Sequence, residues 1–409
     1  MTLRNDADQI IAEAIQSALP DAAVKRALKN KSFPGRVFLV AVGKAAWQMA
    51  SAAAQQLGSA LTQGGVITKY AHSLGDIARV RVYEAGHPVP DENSFRATGE
   101  ALRLTSGLRA DDTVLLLLSG GGSALLEQPI IPAEELQSIT AQLLACGADI
   151  VEMNTVRKRL SAVKGGRFAL HCRPASVVAV VLSDIIGDPL DMIASGPAYP
   201  DASTYEQAMQ IVNKYGLRFS QQALKSLQTE TPKTLDNVET QVTGSVKQLC
   251  VSAEKTCIRL GYKPVVLTDS LCCTARDAGS FLASMARYHA NTDESLAFIA
   301  GGETVVKLTG SGKGGRNQEL ALAAAAGIDG LKNTAVFSVG SDGTDGPTDA
   351  AGGFADGSTA QALLRAGVSI FSELDKNNAY FALQQCGGLI ITGPTGTNVN
   401  DLSVLLIKR

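Results

Sequence analysis

Two stretches of this chain set charged side chains among glycines. Gly312-Lys313-Gly314-Gly315-Arg316-Asn317-Gln318-Glu319 places two cations in a loop rich in bare backbone. N–H dipoles and cations that converge on one point suit phosphate oxygens. Lys313, Gly315 and Asn317 are therefore candidate nucleotide-binding residues, and Arg316 a candidate catalytic cation. Ser341-Asp342-Gly343-Thr344-Asp345-Gly346-Pro347-Thr348-Asp349 sets three acids among small residues, just after an apolar run. Carboxylates on such a loop suit Mg²⁺, and Asp342 and Asp345 are the candidate ligands. The spacing lacks the alternating acids and terminal Glu of an EF-hand. The two stretches together point to chemistry on a phosphorylated, metal-bound ligand.

Four further groups could carry chemistry. Gly43-Lys44 follows an apolar run and precedes the Ala-rich helix expected over Ala45–Leu57, so Lys44 adds charge to a strand-to-helix turn. It is not a Walker A loop, because Ala45 stands where Ser or Thr would be. Ser119-Gly120-Gly121-Gly122-Ser123 lies at a second such turn, where three glycines let the backbone approach a phosphate or carboxylate closely, so these five are candidate cofactor-binding residues. Asn154, Arg157, Ser161 and Lys164 recur at helical spacing, and a single helix ending at Gly165-Gly166 would align them as one anion-facing wall. Asn154, Arg157 and Lys164 are candidate substrate ligands, with Glu303 of Gly301-Gly302-Glu303-Thr304 as a fourth. Asp184 follows the run Val177–Leu182, where a strand-end carboxylate accepts a proton or holds a metal. Gly310 to Gly315 also matches G-x-G-x-x-G, but Lys313 and Arg316 suit a phosphoryl group better than a dinucleotide.

These groups need elements to hold them. Val37–Val42, Val114–Leu118, Val177–Leu182, Pro264–Leu267 and Ala335–Val339 are strand-length apolar runs, most followed by helical patterns. That alternation predicts an α/β chain with mainly parallel sheets flanked by helices, and ligands at the carboxyl ends of the strands. A further strand is expected over Val305–Leu308, and an opening helix over 6–18. No strand is expected between 201 and 245. With 409 residues two domains are expected, 1–240 and 241–409. The net charge of -2 gives no support for nucleic-acid binding. Seven scattered cysteines without CxxC, and four histidines no two of which lie within one helical turn, argue against a disulfide framework or a His-based metal site. The first residues lack a signal-peptide core and no apolar run spans a bilayer, so a cytoplasmic protein without membrane partners is expected.

The segments resemble, in order, those of the class II glycerate kinases, the MOFRL-type glycerate 2-kinases. The matches are Ala41-Val-Gly-Lys44-Ala, Ser119-Gly-Gly-Gly-Ser-Ala-Leu, Asn154 through Arg167, Leu182-Ser-Asp-Ile-Ile-Gly-Asp-Pro, Ala194-Ser-Gly-Pro, Gly301-Gly-Glu-Thr, Gly314-Gly-Arg-Asn-Gln-Glu, Ser341 through Gly352 and Gly393 through Asp401. The resemblance implies a two-domain α/β protein with its site in the inter-domain cleft. It implies ATP- and Mg²⁺-dependent phosphorylation of D-glycerate at the 2-hydroxyl, with Lys44 and Arg316 as active-site cations. A second reading is an NAD(P)H-dependent reductase of hydroxypyruvate or tartronate semialdehyde. It rests on the glycine match and on a label such proteins often carry. A third is a non-catalytic sensor of nucleotides or sugar acids. The sequence leaves a monomer and a homodimer equally open.

Overall fold

Val37–Val42 and Thr113–Leu118 are buried along their whole length in the computed structural model, which describes residues 2–409. Unbroken burial requires cover on both faces, and both strands lie in a sheet that has it. β1 (Val37–Val42), β2 (Leu61–Lys69), β3 (Val80–Ala85), β4 (Thr113–Leu118), β5 (Ser176–Leu182) and β6 (Val238–Gly244) are ordered β3-β2-β1-β4-β5-β6. The pairings from β3 through to β5 are all parallel. Alternate residues face opposite layers. Leu39, Ala41, Leu115 and Leu117 pack against the helix Ala46–Leu57, while Val40, Val42, Leu116 and Leu118 pack with Val163 and Phe168.

The strand order reverses at β1. The chain runs outward through β2 and β3, then returns to place β4 on the other flank of β1. The chain therefore leaves β1 and β4 toward opposite faces of the sheet, the arrangement that places ligand sites at the carboxyl ends of strands. Val42 lies opposite Leu118, so Gly43 and Ser119 emerge side by side.

The second sheet contains β7 (Lys263–Leu271), β8 (Leu296–Gly302), β9 (Thr334–Gly340), β10 (Gly352–Asp356), β11 (Leu389–Ile390) and β12 (Asp401–Ile407), ordered β11-β10-β9-β12-β8-β7. Only β7 and β8 pair in parallel; the other four pairings are antiparallel. Four strands thus run one way, and β10 and β12 reverse. β12 is the reason. The fully buried Asp401–Ile407 enters between β8 and β9 and runs antiparallel to both. Helix Leu3–Ser17 closes one face of this sheet, with Ile10, Ile11 and Ala14 packed near Phe337, Val399 and Val404.

The described chain divides into two compact units. One comprises 23–183 and 188–243, the other 2–22, 184–187 and 244–409. They are called the N-terminal and C-terminal units below. Residues 2–22, expected with the N-terminal domain, thus group with the C-terminal unit.

Three local expectations are corrected. Val305–Leu308 is no strand: Val305 makes one isolated bridge with Thr274, and Leu308 is exposed. The helix predicted through Lys164 ends at Arg157, continues as a 3₁₀ turn over Lys158–Leu160, and turns extended at Ser161. Ser161 pairs with Pro129 there, which breaks the helical path. A strand, β6, does lie between 201 and 245. It is an edge strand with few apolar residues, so it lacks the signal of the buried ones.

Candidate active site

The carboxyl ends of β1 and β4 carry two interlocked turns. Lys44 N–H donates to the Gly120 carbonyl at 2.9 Å, and Ala45 N–H to the Ser119 hydroxyl at 3.1 Å. Gly43 sits at φ +124°, and a Cβ there would stand 2.2 Å from Ser119 Oγ. Only glycine lets the two turns meet this closely. Gly121 adopts the left-handed conformation at φ 89°. The N–H groups of Gly121, Gly122 and Ser123 make no hydrogen bond within the described chain. Lys44 is exposed, and its Cγ lies 3.4 Å from the position a Gly121 Cβ would take. The turn thus presents free donors beside a mobile cation, which suits an anionic oxygen.

Asn154, Arg157 and Lys164 do converge, but on the underside of this turn. Lys164 is fully buried and donates to the carbonyls of Ser123 (2.7 Å) and Leu126 (2.9 Å). Burial pulls its ammonium down to about 8, although Glu127 favours the charged form. Arg157 donates to the Ser123 carbonyl at 3.4 Å. Ser195 Oγ donates to Asn154 Oδ1 at 2.8 Å and lies 3.0 Å from Ser123 Oγ. Lys164 and Arg157 thus hold the turn itself, and Asn154 meets it through Ser195.

In the C-terminal unit a pocket of about 640 Å³ is lined by Glu303, Arg316, Asp342, Thr344 and Asp345, with Leu308 at its rim. Arg316 opens the helix Arg316–Gly327. Its guanidinium makes a bidentate pair with Asp401 (2.6 and 3.0 Å) and reaches Glu303 at 2.7 Å. Burial opposes its charge, but these carboxylates more than offset that and hold the group protonated at any accessible pH. Asp345 caps the same helix from another loop. It accepts from the backbone of Asn317 (3.2 Å) and Gln318 (2.9 Å), and from Gln318 Nε2 at 3.0 Å. Burial nevertheless pushes its carboxyl up to about 6. Asn317 is buried and bonded to Asp345 and Ser338. Lys313 is exposed, its ammonium 4.3 Å from the centre of the Tyr380 ring.

Mg²⁺ bound with a nucleotide needs one or two carboxylates, the rest of its shell being phosphate and water. Asp342 fits that need. It borders the pocket, and of its two oxygens Oδ1 accepts from Thr344 N–H at 2.9 Å. Asp345 has both oxygens engaged by N–H donors. No group of three His, Cys, Asp or Glu among the described residues forms a dedicated cage.

Residues 6–228 match a domain of unknown function, DUF4147, and residues 296–401 match the MOFRL family. The sequence is 50% identical to a D-glycerate 2-kinase of Thermotoga maritima, over 99% of each chain. It is 38% identical to a glycerate 2-kinase of Pyrococcus horikoshii, over the whole chain and 98% of that protein. A crystal structure of glycerate kinase from Thermotoga maritima matches at a TM-score of 0.94 and 50% identity, covering 99% of both chains. The chain belongs to the glycerate kinase family.

Within this glycerate kinase family member the G-x-G-x-x-G match has a packing explanation. A Cβ on Gly310 or Gly312 would stand 2.4 or 2.5 Å from the Lys376 carbonyl oxygen, and one on Gly315 2.3 Å from Asp345 Cγ. The glycines admit neighbouring loops, so the spacing is no sign of a pyrophosphate cradle. Sequence reasoning missed Asp401 and Glu127. Asp401 closes the last quoted segment, and an acid at the mouth of a buried strand was its one visible signal. Glu127 gave none, since its role depends on Lys164 arriving from a distant turn.

Proposed function

We propose that this protein transfers the γ-phosphoryl group of ATP to the 2-hydroxyl of D-glycerate. The named relatives support the substrate. The observation that carries the chemistry is the switch-point turn, where unpaired N–H groups of Gly121–Ser123 lie beside Lys44. The hydroxyl oxygen attacks the γ-phosphorus, the bond to the bridging oxygen breaks, and ADP leaves. Such a transfer needs alignment and charge neutralisation more than covalent help. Lys44 and Arg316 supply positive charge to phosphate oxygens. The turn from Ser119 to Ser123 binds an anionic group of a substrate, and Asp184 takes the hydroxyl proton. Lys313 and Gly315 border the nucleotide, and Glu303 releases Arg316 when phosphate competes for it. Mg²⁺, held by Asp342 and phosphate oxygens, would offset charge on the triphosphate.

Phosphorus NMR of the purified protein with ATP, Mg²⁺ and D-glycerate tests this. A 2-phosphoglycerate resonance that requires glycerate is expected. A 3-phosphoglycerate signal would overturn the regiochemistry, and folded protein that forms no phosphorylated product would overturn the kinase. Oxidation of NAD(P)H by hydroxypyruvate, followed at 340 nm without coupling enzymes, would reinstate the reductase.

A further inference from the structure

Beneath the turn that leaves β4 lies a charged cluster to which the reaction assigns no part. Glu127 is fully buried, as is Lys164. Lys164 Nζ approaches Glu127 Oε2 to 3.2 Å, and Arg157 Nη2 approaches it to 3.8 Å. Neither Glu127 oxygen accepts a well-aligned hydrogen bond, and Arg157 Nε is also buried without a partner. Two cations thus face one carboxylate. As a stability device the arrangement is poor, because buried ion pairs seldom outperform apolar packing. Its geometry has another use. Both cations donate to the Ser123 carbonyl, and Lys164 also to that of Leu126. Glu127 N–H is tied to the Thr98 hydroxyl at 3.1 Å, which anchors the cluster to the helix Glu92–Leu104.

We infer that Glu127, Lys164 and Arg157 are positioning residues, a buried strut that turns the Ser123 carbonyl inward and so aims the Gly121–Ser123 N–H groups at a substrate anion. The peptide plane provides the link. The Ser123 carbonyl shares its plane with Ala124 N–H, which donates to the Gly121 carbonyl at 3.3 Å, so pinning it holds the short helix Gly122–Leu125, whose free N–H groups point the opposite way along the helix axis. The surplus positive charge behind the turn adds to its attraction for that anion. This rests on the proposed function, because the turn matters only if it binds a substrate.

The test compares wild type with Glu127→Gln in the kinase assay, with KM for glycerate and for MgATP measured separately across pH 6–9. Wild-type turnover, shown by the phosphorus spectrum, separates a failure of the proposed function from a failure of this inference. Expected for Glu127→Gln is at least a tenfold rise in one KM, with the other KM and kcat within about threefold. The basic limb of kcat/KM should also move to lower pH. Glu127 and Arg157 are the charged groups acting on Lys164, and loss of the carboxylate makes its proton easier to remove. If Glu127→Gln does not fold, the pair Glu127→Gln with Lys164→Met removes both charges and keeps the volume. A folded pair variant should show the same selective rise in KM. Unchanged constants in whichever variant folds, or an equal loss in both KM values and kcat, would overturn the strut.

Discussion

At the scale of single residues, the two expected cations differ in cost. Lys44 is exposed and its side chain makes no ion pair among the described residues, whereas Arg316 is bound to the buried carboxylate of Asp401. Lys44→Ala should lower kcat roughly 100-fold, on the order of the loss when one charge-stabilising donor is removed, and leave stability within about 0.5 kcal/mol. Arg316→Ala should lower kcat and also destabilise, because it leaves Asp401 buried and unpaired. Steady-state kinetics and urea denaturation on both variants check this. Near-normal turnover in both would remove them from the mechanism. Asp345 provides a pH test. Its folded value, about 6, lies above its ordinary value of 3.8, so between those limits the folded chain holds more protons than the unfolded one. Its contribution is full below pH 4 and is lost as pH rises to 6, on the order of 3 kcal/mol. Asp345→Asn should flatten that part of the stability profile. Identical urea midpoints across pH 4–7 in both proteins would show that the group titrates normally.

At the scale of elements, glycines decide which loops can touch. The helix Arg316–Gly327 places Arg316 only because Gly315 lets Asp345 reach its first N–H groups. Gly315→Ala would set a methyl 2.3 Å from Asp345 Cγ. It should destabilise by about 1–3 kcal/mol through overpacking and raise KM for the nucleotide as Arg316 shifts. Denaturant midpoints and kinetics together measure both. A variant unchanged in each would mean the two loops move apart freely. The same scale explains where sequence reading failed. The span 154–164 carries a helical pattern, but Ser161 pairs with Pro129, and a β bridge overrides periodicity. Even so, Asn154, Arg157 and Lys164 meet at one turn, reached by a bent path instead of a straight face.

At the scale of the whole molecule, four of the five strand-length apolar runs were plain because burial on both faces demands continuous Val, Leu and Ile, while Pro264–Leu267 lies in the exposed edge strand β7. All five of the main runs are strands. β6, on a sheet edge, has only isolated valines and was invisible, whereas the edge strand β7 keeps the run Val265-Val266-Leu267. The glycine-rich turn after β4 was legible as a place where backbone N–H groups are left free, since few other sequences allow that close approach. The sequence by itself thus determined the class of fold and the family. Tertiary structure alone decided that Lys164 lies beneath the turn, that Asp401 holds Arg316, and that β12 enters between β8 and β9. Each of these joins residues far apart in the chain. Local propensity is blind to such pairs, and only the closing of the sheet brings the charges within reach of one another.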